Sequence, residues 1–175
     1  MLLAVDPSVR SPGAAILDRG QLVEVKRFIV KASCMSDGQR WLLVARTIYE
    51  WSLTRAPLDA LVYERPQIYT WAKSKGDPND LIGLAGVGAA LSGILFVENP
   101  ELEVRTPTPA DWIGQVAKTT KGSAKESPRA KMILSRLSPA ELALVPDQHD
   151  AIDAVGLGLW ACGRLEPKRA YSNGR

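Results

Sequence analysis

Four carboxylates stand where acidic side chains can do chemistry. Asp6 follows an apolar run at residues 1–5, and Glu64 follows a second apolar run at 58–63. Asp150 and Asp153 lie three apart at the start of the last apolar segment. A carboxylate at a strand end, or in the first turn of a helix, is held at the rim of an α/β sheet. Residues three apart on a helix share a face. Such acids repel one another until hard divalent cations, which take several oxygen ligands, supply counter-charge. Two ions about 4 Å apart can activate water and stabilise the leaving oxygen of a phosphodiester. Each acid also has an ordinary reading: Asp6 before Pro7 can open a turn, Asp150 can serve a helix dipole, and Glu64 can be a surface acid. Asp147, three residues before Asp150, is a less favoured alternative partner. The joint occurrence of two apolar strands ending in acids and a helical acid pair favours a site.

The elements that must carry these residues can be read from pattern. Residues 1–5, 13–17 and 22–28 read as three strands separated by Pro12-Gly13 and Asp18-Arg19-Gly20, a meander. Ser36 with Gln39 forms a capping-box pattern before Leu42, Ala45, Ile48, Tyr49 and Leu53, and Pro57 ends that helix. A buried strand at 58–63 delivers Glu64, and a polar loop, 65–79, carries Tyr69 and Trp71. A small-residue helix is expected over 80–96 and a strand over 102–105. Short helices at 111–117 and 129–137 follow, the second capped by Ser127-Pro128. Ser138 with Glu141 makes another capping box, and the final helix is placed at 149–165. This order argues for an α/β sandwich around a mixed sheet, one domain over 1–165 with a basic, flexible tail at 166–175.

Composition narrows the setting. A chain of 175 residues that is 46% hydrophobic can bury a single substantial core. The opening apolar run stops at Asp6, too short for a secretory signal, and the glycine-rich run 81–97 falls just short of a spanning helix. A soluble cytoplasmic protein is expected, of cellular origin or viral and acting in the host cytoplasm, with no membrane partner. Cys34, Cys162 and the sole histidine, His149, share no zinc-ligand spacing, so two reduced, partly buried thiols are expected. The net charge of +3 is unevenly spread. Residues 117–136 carry +5 and 164–175 carry +3, leaving −5 on the remainder. That segregation suits either a polyanion-binding surface around an acidic centre or a solvated charged face.

The motifs resemble those of a known family. Leu2-Leu3-Ala4-Val5-Asp6-Pro7-Ser8 followed by Pro12-Gly13-Ala14-Ala15-Ile16-Leu17 looks like the first hairpin of RuvC-type Holliday junction resolvases. Leu61-Val62-Tyr63-Glu64-Arg65-Pro66 is similar to their second acidic motif, and Gln148-His149-Asp150-Ala151-Ile152-Asp153-Ala154 to their last helix. The motifs fall in family order across residues 1–165. The resemblance implies an RNase H-like fold with a mixed five-stranded sheet flanked by helices, and a homodimer acting on four-way junction DNA. It implies paired, metal-dependent nicking, with two Mg2+ ions (or Mn2+) held by Asp6, Glu64, Asp150 and Asp153. One departure is Ser8, where the family has glycine.

By the same resemblance Lys118, Lys121, Lys125 and Arg129 fall where basic residues meet substrate phosphates, with Lys118 preferred. Tyr69 matches an aromatic that stacks in the opened junction, with Trp71 as competitor. Positive charge there would release counterions, and stacking contributes about 1–3 kcal/mol per base. The small-residue helix corresponds to one at the family's dimer interface, and a two-fold dimer would supply two cuts. His149 beside the acids reads as structural rather than as a ligand. Other readings are an RNase H-like nuclease on RNA, RNA–DNA hybrid or other branched DNA, and a non-catalytic junction-binding protein. The latter would have no need to keep a repulsive acidic cluster. An actin-like ATPase or sugar kinase shares an aspartate before a hairpin but needs a longer chain and a second phosphate loop.

Overall fold

The computed structural model describes residues 1–31, 34–55, 57–66, 78–114, 116 and 122–166. Three antiparallel strands open the fold: β1 (Leu2–Asp6), β2 (Gly13–Asp18) and β3 (Gln21–Arg27). The β2–β3 turn needs two residues at positive φ, and Arg19 (48°) with Gly20 (82°) supplies them, as a tight hairpin requires. After helix α1 (Asp37–Ser52), β4 (Ala60–Tyr63) pairs parallel to β1. Helix α2 (Pro78–Glu98) leads to β5 (Glu103–Arg105), parallel to β4. The sheet order is β3-β2-β1-β4-β5, a mixed five-stranded sheet. The last third supplies α3 (Pro109–Trp112), α4 (Pro128–Leu134), α5 (Pro139–Leu144) and α6 (His149–Ala161).

Alternation along the strands divides the core in two. Leu3, Val5, Ala14, Ile16 and Leu61 face α1 and α2, packing with Val44, Ile48, Val87 and Leu91. Ala4, Ala15, Leu17 and Val62 face the other way, under Ile152, Val155, Leu159 and Trp112. Small residues let α6 lie close: a Cβ on Gly158 would come within 2.3 Å of Leu17 and 3.3 Å of Ala4.

Several boundaries differ from the sequence reading, each for a local reason. α3 starts and ends early because Thr108 and Asp111 form a capping box around Pro109, and Gly114 takes a φ of 66°. α6 stops at Ala161 rather than 165. Gly163 sits at φ 72°, its N–H bonds Trp160 O, and the Arg164 N–H reaches back to Leu159 O, a left-handed helix stop. Cys34 is exposed rather than partly buried, and Cys162 is half-buried; neither forms a disulfide.

α2 is longer than expected. By length and composition it could cross a bilayer, with a mean hydropathy of 1.9 over Leu81–Glu98. Its Val87, Leu91 and Leu95 are core residues of the α1 face, and its opposite side leaves Ile82, Phe96 and Val97 exposed.

Candidate active site

Strand parity sets the acids on one face. Asp6 follows Ala4 by two and Glu64 follows Val62 by two, so both carboxylates emerge on the α6 side of the sheet. The strands carrying them are neighbours, and the Glu64 N–H continues the parallel pairing to Val5 O at 3.3 Å. Two acids therefore end adjacent strands at the same edge.

The first turn of α6 closes over this edge. Asp6 pairs across the hairpin with Gly13, and a Cβ on Gly13 would lie only 1.9 Å from the Asp150 carbonyl oxygen. Gly13 is thus where backbone meets backbone, which is one use of glycine in a strand. The sequence reading treated Pro12-Gly13 only as a turn; a glycine inside the β2 apolar pattern was the available signal. Ser8, in the place of the family glycine, organises the loop between β1 and β2. Its Oγ accepts from the Arg10 and Ser11 N–H groups at 3.3 and 3.1 Å.

Protein donors hold the acids. Asp150 Oδ2 accepts from Arg27 Nε at 3.1 Å and from Ser11 Oγ at 3.2 Å, both on the β2–β3 side. Asp153, buried, accepts from Arg129 Nη1 at 3.3 Å on the α4 side. Glu64 Oε2 accepts from the indole Nε1 of buried Trp112 at 2.8 Å. The Arg129 guanidinium lies 5.8 Å from the Trp112 ring centroid, within cation–π range, and donates to Val116 O at 3.2 Å. A chain of contacts, Glu64–Trp112–Arg129–Asp153, therefore links the end of β4 to α6. Arg27, Ser11 and Trp112 were not anticipated, because their partners lie 48 to 139 residues away in sequence.

Asp150 and Asp153 share a helix turn but point to opposite flanks. Three residues of helix leave them about 60° apart, enough for each to meet a different arginine. Asp147 does not join them. Its carboxylate takes the Ser123 hydroxyl at 2.6 Å and the Lys125 N–H at 2.9 Å, and these bonds hold it below the usual aspartate range. His149 lines an open pocket beside the site with Arg27, Ser123, Asp147 and Asp150. Lys125 is half-buried with its backbone on Asp147, and Arg129 is turned inward. Tyr69, Trp71, Lys118 and Lys121 lie outside the described residues, as does the tail beyond Glu166.

The donor set is all carboxylate oxygen, which suits hard divalent cations in kind and number. Among the described residues, no three acidic, histidine or cysteine side chains converge closely enough to hold an ion. Also among them, Arg129 Nε is a buried side-chain atom with no hydrogen-bond partner, beside Asp153. The pocket is therefore polar and incompletely satisfied, and the residues fit such a cation once they exchange their protein partners.

A mixed sheet in this order, crossed by a helix on the face that carries the strand-end acids, is the RNase H-like fold. More closely, it is the form of that fold found in RuvC-type Holliday junction resolvases. No protein-family model and no curated protein sequence matches the chain. Among solved structures, Thermus thermophilus RuvC in complex with a Holliday junction substrate is similar with a TM-score of 0.63. The match covers 94% of this chain and 97% of that one at 15% identity. Thermus thermophilus RuvC in a second structure gives 0.58 over 94% and 98% at 13% identity. The yeast mitochondrial Holliday junction resolvase Ydc2 gives 0.58 over 93% of this chain and 78% of that chain at 8% identity.

Proposed function

We propose that this chain is a structure-selective endonuclease that resolves four-way DNA junctions by metal-dependent phosphodiester cleavage. The observation that carries the reading is the shared parity of Asp6 and Glu64 at adjacent strand ends, roofed by the α6 turn bearing Asp150 and Asp153. The fold shared with resolvases over nearly the full length of both chains supports the substrate class.

In this reading Asp6, Glu64, Asp150 and Asp153 hold two Mg2+ ions. Bound there, the ions supply Lewis acidity and a nucleophile at neutral pH. The chain's own part is positional. The parallel β1–β4 pair fixes two carboxylates, Gly13 admits the α6 turn to bring two more, and Trp112 orients Glu64. Lys118, Lys121 and Lys125 would meet phosphates, and Tyr69 or Trp71 would stack against unpaired bases. The exposed Ile82, Phe96 and Val97, with exposed Ala85, Ala89 and Gly93, make α2 a candidate face for a two-fold dimer carrying two sites.

The test is cleavage of a mobile four-way junction, a duplex and an RNA–DNA hybrid, with Mg2+ or EDTA, beside Asp6→Asn. Paired nicks on the junction, abolished by EDTA and by the variant, are expected. Preferred cutting of the hybrid would replace the substrate with RNA. Junction binding without cutting by the wild type would make the chain a binding protein.

A further inference from the structure

Two arginine–carboxylate pairs on the α6 side of the sheet are built differently. Arg164 grips Glu141 with both ends of its fork, Nη1 to Oε1 at 2.6 Å and Nη2 to Oε2 at 3.1 Å, and also donates to Gly20 O and Arg136 O. This pair ties α5 and the chain after α6 to the β2–β3 turn, a purely architectural place. Arg129 instead gives Asp153 a single bond of 3.3 Å, and its buried Nε–H has no acceptor. Yet it is no solvated surface cation, since only 16% of its side chain is exposed and its partner's exposure is 6%.

A buried carboxylate beside other carboxylates needs a nearby positive charge. Arg129 supplies that charge through one weak, replaceable bond, and leaves donor capacity unused. Through the Trp112 ring it is also coupled to the group that orients Glu64. A residue selected only to brace the fold would be expected to close its fork, as Arg164 does.

We infer that Arg129 is a positioning residue of the carboxylate site, a resident cation that holds Asp153 until a divalent ion takes over its charge. The inference rests on the nuclease reading, because it presumes that the acids bind metal. Arg129 and the metal then compete for one carboxylate, so each weakens the other by the same factor. Arg129 lies too deep to serve first as a phosphate contact.

The experiment uses the full chain and its Arg129→Gln and Arg129→Lys variants. Isothermal calorimetry measures Mg2+ and Mn2+ binding, and thermal melts are recorded in EDTA and in saturating Mg2+. Arg129→Gln should melt below wild type in EDTA, and the gap should narrow with Mg2+. Its Mg2+ affinity should rise about tenfold, as removal of a neighbouring positive charge requires. Arg129→Lys, which keeps the charge, should bind Mg2+ within a few-fold of wild type. A variant that folds only with Mg2+ would support the inference most directly.

An equal melting deficit with and without Mg2+, or a variant unfolded in both, would overturn it in favour of simple bracing. Unchanged or weaker Mg2+ binding by Arg129→Gln, with normal binding by wild type, would overturn the inference and leave the nuclease reading standing. Failure of wild type and variant alike to bind either metal would overturn both.

Discussion

Each face of the sheet carries a tryptophan whose indole N–H bonds a glutamate, and the two arrangements do different work. On the α1 face, Trp51 donates to Glu24 at 2.8 Å and Arg55 adds a second bond at 3.1 Å to the other carboxylate oxygen. On the α6 face, Trp112 donates to Glu64, also at 2.8 Å. The local bonding is nearly the same. The neighbours are not: Glu24 stands mid-strand on the sheet's edge with an arginine, whereas Glu64 ends a central strand beside Asp6 and under α6. An indole–carboxylate bond orients an acid; what lies next to that acid decides whether orientation is structural or chemical.

The largest test of this contrast is a pair of isosteric changes. Glu64→Gln keeps the Trp112 bond but removes a charge from the acidic cluster. If cleavage depends on metal held there, several kcal/mol of transition-state stabilisation is lost, a fall of about a thousandfold in rate. Glu24→Gln should leave cutting per folded molecule unchanged and cost no more than about 1 kcal/mol of stability. Single-turnover cleavage beside chemical denaturation measures both. Equal activity in the two variants would sink the assignment of Glu64.

A second pair compares the glycines that let helices approach each face. Gly13→Ala drives a methyl into the Asp150 backbone, which cannot yield without lifting α6; Gly86→Ala meets the Trp41 ring at 2.4 Å, a side chain able to turn. Overpacking against backbone should cost about 3 kcal/mol or more, and against the ring about 1–2 kcal/mol. Only Gly13→Ala should lower cleavage in the fraction that remains folded, because it displaces Asp150 and Asp153 from Asp6. Matching stability losses with matching activity would show that the α6 turn need not be held so closely.

How much of this was legible in the sequence follows from the range of each interaction. The three-strand meander, the parallel strand before Glu64 and the Ser36 and Ser138 capping boxes rest on contacts between near neighbours, and pattern reveals those. The strand-end acids were legible too, since an apolar run fixes both where a strand lies and where it stops. What the sequence hid is the environment of each acid. Arg27 and Arg129 differ little as letters from any surface arginine, yet each reaches one of the α6 acids. Arg129 was expected to face DNA, because composition records charge and not direction. Gly13 read as a turn because its partner is Asp150, far along the chain, and Trp112 gave no sign of reaching Glu64. Asp147 and Asp150 could be told apart only by what each one touches.

The smallest expected effect concerns the far end of the α6 face, away from the acids. Glu141 is buried, and the Arg164 guanidinium above all, with the Leu22 and Ser138 N–H groups, holds its carboxyl well below the ordinary value of 4.5; burial pushes the other way and loses. A carboxyl with a lowered folded-state pKa binds its proton more readily when unfolded. Its stabilisation is therefore complete above about pH 4.5 and drains away as the pH falls through the folded value. Glu141→Gln should be less stable than wild type by about 2 kcal/mol at neutral pH, the scale of a charged hydrogen bond. The two melting curves should converge toward about pH 3, with the variant losing less on acidification. The active-site acids titrate in both proteins, so they cancel from the difference. Parallel curves from neutral to acid pH would mean that Arg164 holds Glu141 by shape rather than charge. The contrast drawn with the looser Arg129–Asp153 pair would then lose its reference point.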